Sequence, residues 1–370
     1  MYVEDRNPIF SAQALFLFAV VSLLIIGLIF VYSASSIYAY ERLGSSDYFV
    51  KKHLFGILLG CFGACFAYVF PTIILKKTAP YLFLLAFFLT GLTLIPSLAR
   101  TIHGSSRWLS IGPVTFQPSE LLKYAFILYL AYFFEKKGTG ILSLRTYIQF
   151  LCILCFTGFI LLMQPDFGMT VTLCMTGIML AFIAGIRTVH LFATLLCTLP
   201  LALILVWLKP YRIKRILVFL DPWADPQGSG FQIIQSFIAI GSGNLWGVGI
   251  GQSKQKFFYL PMQHTDFIFS IIAEETGYAG SCVVILLFLL FLYAGLRLAF
   301  NQEHLFERYI MCGCVILLSL QALINIAVTT GLVPTKGIGL PFISYGNSSL
   351  ASTIAIVGLI LNCAKKTSHS

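Results

Sequence analysis

QALFLFAVVSLLIIGLIFVYS, residues 13–33, carries no charged side chain. As a helix it is long enough to cross about 30 Å of hydrocarbon. A secretory leader usually has a shorter apolar stretch, and Tyr32-Ser33-Ala34 makes a weak cleavage site. The run is therefore read as a first membrane span, preceded by a short cytoplasmic tail, Met1–Pro8. Nine similar runs follow, at 54–70, 79–96, 119–135, 146–163, 167–185, 188–208, 276–297, 309–331 and 346–364. Hydrophobic residues make up 58% of the chain and charged ones only 10%, a balance that excludes an ordinary soluble domain.

The expected fold is all-α and integral to the membrane. It is a bundle of ten transmembrane helices forming one polytopic domain over residues 1–370. A large extracytoplasmic loop, 209–275, joins spans seven and eight. Basic residues in short loops set the orientation. With the N-terminus inside, the cytoplasmic face receives eleven: Arg6, Lys76, Lys77, Lys136, Lys137, Arg145, Arg187, Arg297, Arg308, Lys365 and Lys366. The short outer loops receive six: Arg42, Lys51, Lys52, Arg100, Arg107 and Lys336. Both termini are thus expected in the cytoplasm, in a bacterial inner membrane.

The large loop then puts Lys209, Arg212, Lys214, Arg215, Lys254 and Lys256 on the side where positive charge is usually sparse. These are either solvated loop charges or a site for an anionic ligand, and the net charge of +10 does not decide between the two. Arg212 and Arg215 are spaced i, i+3, so a helix puts both on one face. Ile216–Leu220 is expected to lie against lipid, and the prolines of DPWADP (221–226) end that helix. The stretch GSGNLWGVGIGQSKQK (241–256) is rich in glycine but lacks the phosphate-loop pattern, so it reads as flexibility or close backbone approach. All ten cysteines fall in or beside apolar spans and read as packing residues. No nucleic-acid-binding motif is present.

Polar residues interrupt the apolar rhythm at RTIHGSSRWLSIGPVTFQPSELLK (100–123), MQPDFG (163–168), the large loop and GLVPTKGIGLPFISYGNSSL (331–350). All four fall on one side of the membrane, as a site at the membrane face requires. Glu120 and Lys123, at i, i+3, can pair on one helix face, either as a brace or beside a cavity. Asp166 follows a proline at the head of span six, where a helix dipole favours an acid whether or not it has a further role. In YLPMQHTDFIFSIIAEETGYAG (259–280) three acids, Asp266, Glu274 and Glu275, stand beside a greasy Phe267–Ile272 run. Thr265 and Asp266 can cap and complement a helix starting there. On such a helix Glu274 lies two turns on, roughly 12 Å away, where it and Glu275 suit bracing or metal-related roles better than direct catalysis.

The segments GSSRWLSIGPVTFQPSELLK, QPDFG, PYRIKRILVFLDPWADPQGSGFQIIQS, LPMQHTDFIFSIIAEETG and GLVPTKGIGLPFISYGNSSL resemble successive signatures of the SEDS family (shape, elongation, division and sporulation). That family contains RodA, FtsW and SpoVE. PYRIKR, DPW, SKQK and LVPTKG resemble the division branch, that of FtsW, more than the elongation branch.

The resemblance implies a peptidoglycan glycosyltransferase that polymerises lipid II at the outer membrane face. It makes Asp266, in HTDF, the general base for the acceptor hydroxyl. It points to Lys336, Arg212 and Arg215 for the pyrophosphate, with Arg107, Lys123 and Glu120 nearby and Ser344, Ser348 and Ser349 lining the cavity. It also implies a divalent cation, Mg or Mn, as a possible cofactor. The implied partners are a class B penicillin-binding protein and other divisome or elongasome membrane proteins. The Phe267–Ile272 run is then expected to continue the catalytic loop facing the membrane. Two departures stand out. Met262-Gln263 replace the Glu-Ala common before HTDF, and Gly346-Asn347 replace a double glycine. A lipid flippase or a non-catalytic division scaffold are the alternatives, although a transporter would put its polar groups nearer the midplane.

Overall fold

The computed structural model describes residues 11–95, 99–102, 105–111, 114–207, 210–256 and 263–365. The tail Met1–Pro8 and the sites Lys209, Met262 and Lys366 lie outside the described residues. In chain order the helices are α1 (Ala12–Leu43), α2 (Tyr48–Val69), α3 (Thr72–Leu92), α4 (Pro118–Lys137), α5 (Leu144–Met163), α6 (Phe167–Ala184), α7 (Thr188–Trp207), α8 (Pro210–Leu220), α9 (Phe231–Ser242), α10 (Ile268–Phe300), α11 (Leu305–Thr329) and α12 (Asn347–Lys365). Eight of them, α1–α3, α5, α6 and α10–α12, are long and apolar enough to cross a membrane. The chain is thus an essentially helical, multi-span protein.

An all-α architecture needs one amendment. Between α3 and α4 the chain forms a three-stranded antiparallel sheet, β1 (Ala99–Ile102), β2 (Ser105–Ile111) and β3 (Val114–Phe116), in the order β1-β2-β3. The polar stretch 100–123 alternates too briefly to stand out as strand, yet pairing satisfies its backbone groups without a helix.

The region expected as a loop over 209–275 holds three α-helical stretches among its described residues. α8 and α9 occupy its first half, and α10 begins at Ile268, inside it. α10 is broken at Gly277, whose φ of 67° and ψ of −163° are not helical. The glycine-rich stretch fills the break. Val248 N–H donates to the Glu274 carbonyl (3.0 Å) and Gly249 N–H to that of Glu275 (3.1 Å). In return Tyr278 and Ala279 N–H donate to Asn244 (2.8 Å) and Leu245 (3.1 Å). A side chain at Gly247 or Gly277 would strike the facing backbone, so close approach is what these glycines provide. Such non-helical backbone is stable in an apolar setting because protein, not lipid, surrounds it.

The main core is a continuous apolar cluster through the middle of the bundle, with α11 as its axis, and a smaller cluster that includes Phe267 and Ile271 lies apart from it. Phe267, Ile268, Phe269, Ile271 and Ile272 are each at most 2% exposed. The expectation that this run faces the membrane is therefore corrected: it packs inside the protein. The loop between α11 and α12 also dips into the bundle, burying Leu340, Phe342 and Ile343. There Gly27 of α1 lets the 342–343 backbone approach a helix that any side chain would hold off.

Candidate functional site

One cavity, of about 860 Å³, collects the polar segments. Arg107, Glu120, Arg212, Arg215, Asp266, Lys336, Ser344, Ser348 and Ser349 all line it. They come from β2, α4, α8, the turn before α10, the 331–346 loop and the start of α12. Lys123 is the exception among the expected residues. It does not line the cavity but lies fully buried behind Glu120, at 2.6 Å from its carboxylate. Ser352 supports the same carboxylate from α12 at 3.2 Å.

Asp266 is half-buried, and its carboxylate lies against Gly337. The N-cap position of α10 falls on Phe267, so Thr265 does not occupy it. The backbone around Asp266 is held from three sides. Asn325 donates to its carbonyl at 2.8 Å and to that of Ile338 at 2.7 Å. The Ser344 hydroxyl donates to the Thr265 carbonyl at 2.6 Å and accepts from Leu340 N–H at 2.7 Å. Tyr345 N–H donates to the His264 carbonyl at 3.0 Å. The HTDF turn and the 331–346 loop are thereby fastened together beside the cavity.

Cations line the same cavity. Lys336 Nζ lies 5.3 Å from the centre of the Phe167 ring, and the Arg212 guanidinium lies 5.6 Å from it. Burial holds the Lys336 amine below the usual lysine range. Arg215 donates to the Thr335 carbonyl at 3.0 Å. Arg107 is committed elsewhere: it donates to the carbonyls of Gln164 (3.2 Å) and Pro165 (2.6 Å) and pairs with Asp166 at 3.5 Å. It therefore fastens the sheet to the α5–α6 turn. Asp166 accepts the Met169 N–H at 3.1 Å as the cap of α6, and burial raises its pKa against the opposing pull of Arg107. Asp166 thus caps a helix and also lines the cavity.

Glu274 and Glu275 brace the loop instead. Glu275 accepts from Ser33 of α1 (2.6 Å) and from Ser253 N–H (3.3 Å) and pairs with Lys256 at 3.6 Å. Glu274 accepts from Lys254 N–H at 2.9 Å and from the Ser253 hydroxyl. Among the described residues no three His, Cys, Asp or Glu side chains come together to hold a metal. Of the acids lining the cavity, Glu120 and Asp166 are already paired with cations, so the donor set does not make a closed protein site for Mg or Mn.

Sequence reasoning missed Phe167, Asn325, Trp108 and Tyr345. Phe167 sits inside the quoted QPDFG motif, so that signal was available; Asn325 follows Gln321 in an apolar span, and its role shows only once two loops meet on it. Trp108 and Tyr345 line the cavity from the sheet and the 331–346 loop.

The cell cycle protein family of FtsW, RodA and SpoVE matches residues 13–369. The chain belongs to that family. The probable peptidoglycan glycosyltransferase FtsW of Geobacter sp. (strain M18) is 42% identical over 341 residues, covering 92% of this chain and 93% of the relative. Stage V sporulation protein E of Bacillus subtilis (strain 168) is 40% identical over 356 residues, covering 96% and 97%. A solved structure described as "Structural coordination of polymerization and crosslinking by a peptidoglycan synthase complex" is 31% identical with a TM-score of 0.80, covering 96% of this chain and 98% of that one. The family match embraces every element that contributes to the cavity.

Proposed function

We propose that this member of the family is a peptidoglycan glycosyltransferase. It polymerises lipid II into β-1,4 glycan strands at the outer face of the cytoplasmic membrane, in cell division. The observation that carries this reading is a half-buried carboxylate, Asp266, sharing one cavity with Arg212, Arg215 and Lys336. The names of the relatives support the reaction class, and those named FtsW support the division branch.

Asp266 takes the proton from the acceptor GlcNAc 4-hydroxyl as that oxygen attacks the anomeric carbon of the donor MurNAc. The new C–O bond forms as the bond to the pyrophosphate oxygen breaks, inverting an α-linked donor to a β-linkage. Undecaprenyl pyrophosphate departs with the electron pair, and Lys336, Arg212 and Arg215 stabilise its developing charge. Glu120, neutralised by Lys123 behind it, faces the cavity, Ser348 and Ser349 offer hydroxyls to the sugars, and Ser344 fastens the HTDF turn. Arg107 acts by holding the sheet over the site.

In the membrane, α4 and α7 join the eight apolar helices to give ten spans, with both termini cytoplasmic and the cavity facing outward. α4 is 20 residues long, and its charges Glu120 and Lys123 turn inward, away from lipid. A class B penicillin-binding protein is the partner that cross-links the product, alongside other divisome or elongasome proteins. The fold shared with a peptidoglycan synthase complex supports that pairing.

Purified protein, with and without a class B penicillin-binding protein, is supplied with lipid II in detergent micelles. Glycan strands are expected. A flippase or a scaffold makes no new bond there, so unchanged lipid II under both conditions rules the reading out.

A further inference from the structure

A second, smaller cavity adjoins the first. Its volume is about 240 Å³, and it lies between Val218 and Phe219 of α8, Ile233 and Phe237 of α9, and Val333 and Thr335 of the 331–346 loop. Apart from Thr335, every residue of its wall is apolar or glycine. Thr335 also lines the large cavity, and its carbonyl is the one that Arg215 holds.

The wall changes character along α8. Arg212, Arg215 and Ile216 face the large cavity, whereas Val218 and Phe219 face the small one. Arg215 and Phe219 are one helical turn apart, a rise of about 6 Å. Behind the small cavity, Val218, Ile233, Phe267, Ile271 and Val328 form a buried cluster separate from the main core, with Phe237 and Val333 packed onto it. Phe267 directly follows Asp266, so the apolar cavity, the cations and the carboxylate share one scaffold.

We propose that the small cavity seats the first isoprene units of a polyprenyl pyrophosphate whose diphosphate lies on Arg212, Arg215 and Lys336. This rests on the glycosyltransferase reading above and adds the position of the lipid. The abrupt change from guanidinium to phenyl matches a ligand whose anion joins its hydrocarbon through a single oxygen. A glycerophospholipid would bring ester groups into an apolar wall, and unpaired polar groups are costly there. The size is also apt. An apolar cavity of about 150 Å³ holds a benzene ring, so 240 Å³ takes a short branched segment and leaves the remaining chain to the bilayer. The exposed Leu217, Leu220 and Trp223 extend the apolar surface along and beyond the same helix.

Photolabelling tests the proposal. The full-length protein in detergent is irradiated with a polyprenyl pyrophosphate bearing a diazirine on its first isoprene unit. Adducts are expected on Phe219, Phe237 or Val333. Adducts confined to other helices overturn the proposal. So does equal labelling of these residues by a phosphatidylglycerol with a diazirine near its ester group. In parallel, Val333→Trp fills the cavity and raises KM for the lipid-linked donor about ten-fold with kcat within about two-fold; an unchanged KM in a folded variant also overturns it. If that variant does not fold, the labelling decides alone. Labelling reads binding and not chemistry, so it is repeated on Asp266→Asn: a wrongly assigned base leaves the adducts in place, and a misplaced lipid does not.

Discussion

The Asn325 side-chain amide donates both of its protons to backbone carbonyls, one on Asp266 at 2.8 Å and the other on Ile338 at 2.7 Å. A single side chain in α11 thus sets the spacing between the proposed base and the loop that carries Lys336. Neither carbonyl belongs to a regular element, so an unsatisfied one costs about 1–3 kcal/mol. Asn325→Ala is expected to lower the melting temperature and to cut kcat roughly ten- to hundred-fold through misplacement. Asn325→Asp, which sets an acceptor against both carbonyls, is expected to be worse. Wild-type turnover in Asn325→Ala would mean that the two loops hold themselves.

Phe167 sits between two cations that would otherwise repel, Lys336 at 5.3 Å and Arg212 at 5.6 Å from the ring centre. A ring face attracts a cation by about 0.5–2 kcal/mol. Phe167→Leu is therefore expected to raise KM for lipid II roughly 2- to 30-fold, with a smaller change in kcat. Phe167→Tyr keeps the ring and is expected to restore most of the affinity. If Leu and Tyr behave alike in a KM titration, the ring has no electrostatic part.

Burial lowers the Lys336 pKa from the ordinary lysine value. Its charge is complete below the lowered value and is lost as pH rises through it, so affinity for a pyrophosphate falls on the alkaline side. Folding stability moves the other way in that window, because the unfolded chain then binds the extra proton. Lys336→Arg keeps its charge throughout. The alkaline limb of a KM–pH profile is expected to move to higher pH in this variant. A limb that stays in place assigns it to another group.

Lys256 and Glu275 form a pair at 3.6 Å in which both side chains are nearly inaccessible. Removing one partner from such a pair costs about 3–5 kcal/mol. Hydrogen bonds to Ser33 and to Ser253 N–H soften the loss here. Lys256→Met is expected to destabilise the protein by at least about 1–2 kcal/mol and to raise proteolysis in the 241–256 stretch. An unchanged thermal unfolding curve would show that the pair is not a brace.

Much of the site was readable from residue type and position. Asp266, Lys336, Arg212, Arg215 and Glu120 line one cavity, because the polar interruptions of an otherwise apolar chain meet there. Arg212 and Arg215 share a helix face, as i, i+3 spacing requires. What could not be read depends on contacts between distant segments. The burial of Phe267–Ile272 is such a case, since an apolar run looks the same whether lipid or protein receives it. The break at Gly277 is another, because its lost hydrogen bonds are replaced by residues about thirty positions earlier. The role of Asn325 emerges only when two loops meet. The β-sheet was hidden because strands of three to seven residues leave too little alternation to register.

The central claim is that Asp266 is the base for glycan polymerisation. Its most direct test is the rate of lipid II polymerisation by purified Asp266→Asn against wild type, each with the partner transpeptidase and each shown to be folded. A positioned base contributes typically about 10²–10⁴-fold. The account predicts a loss in that range with lipid II binding retained. Polymer formed by the Asn variant at the wild-type rate would contradict it.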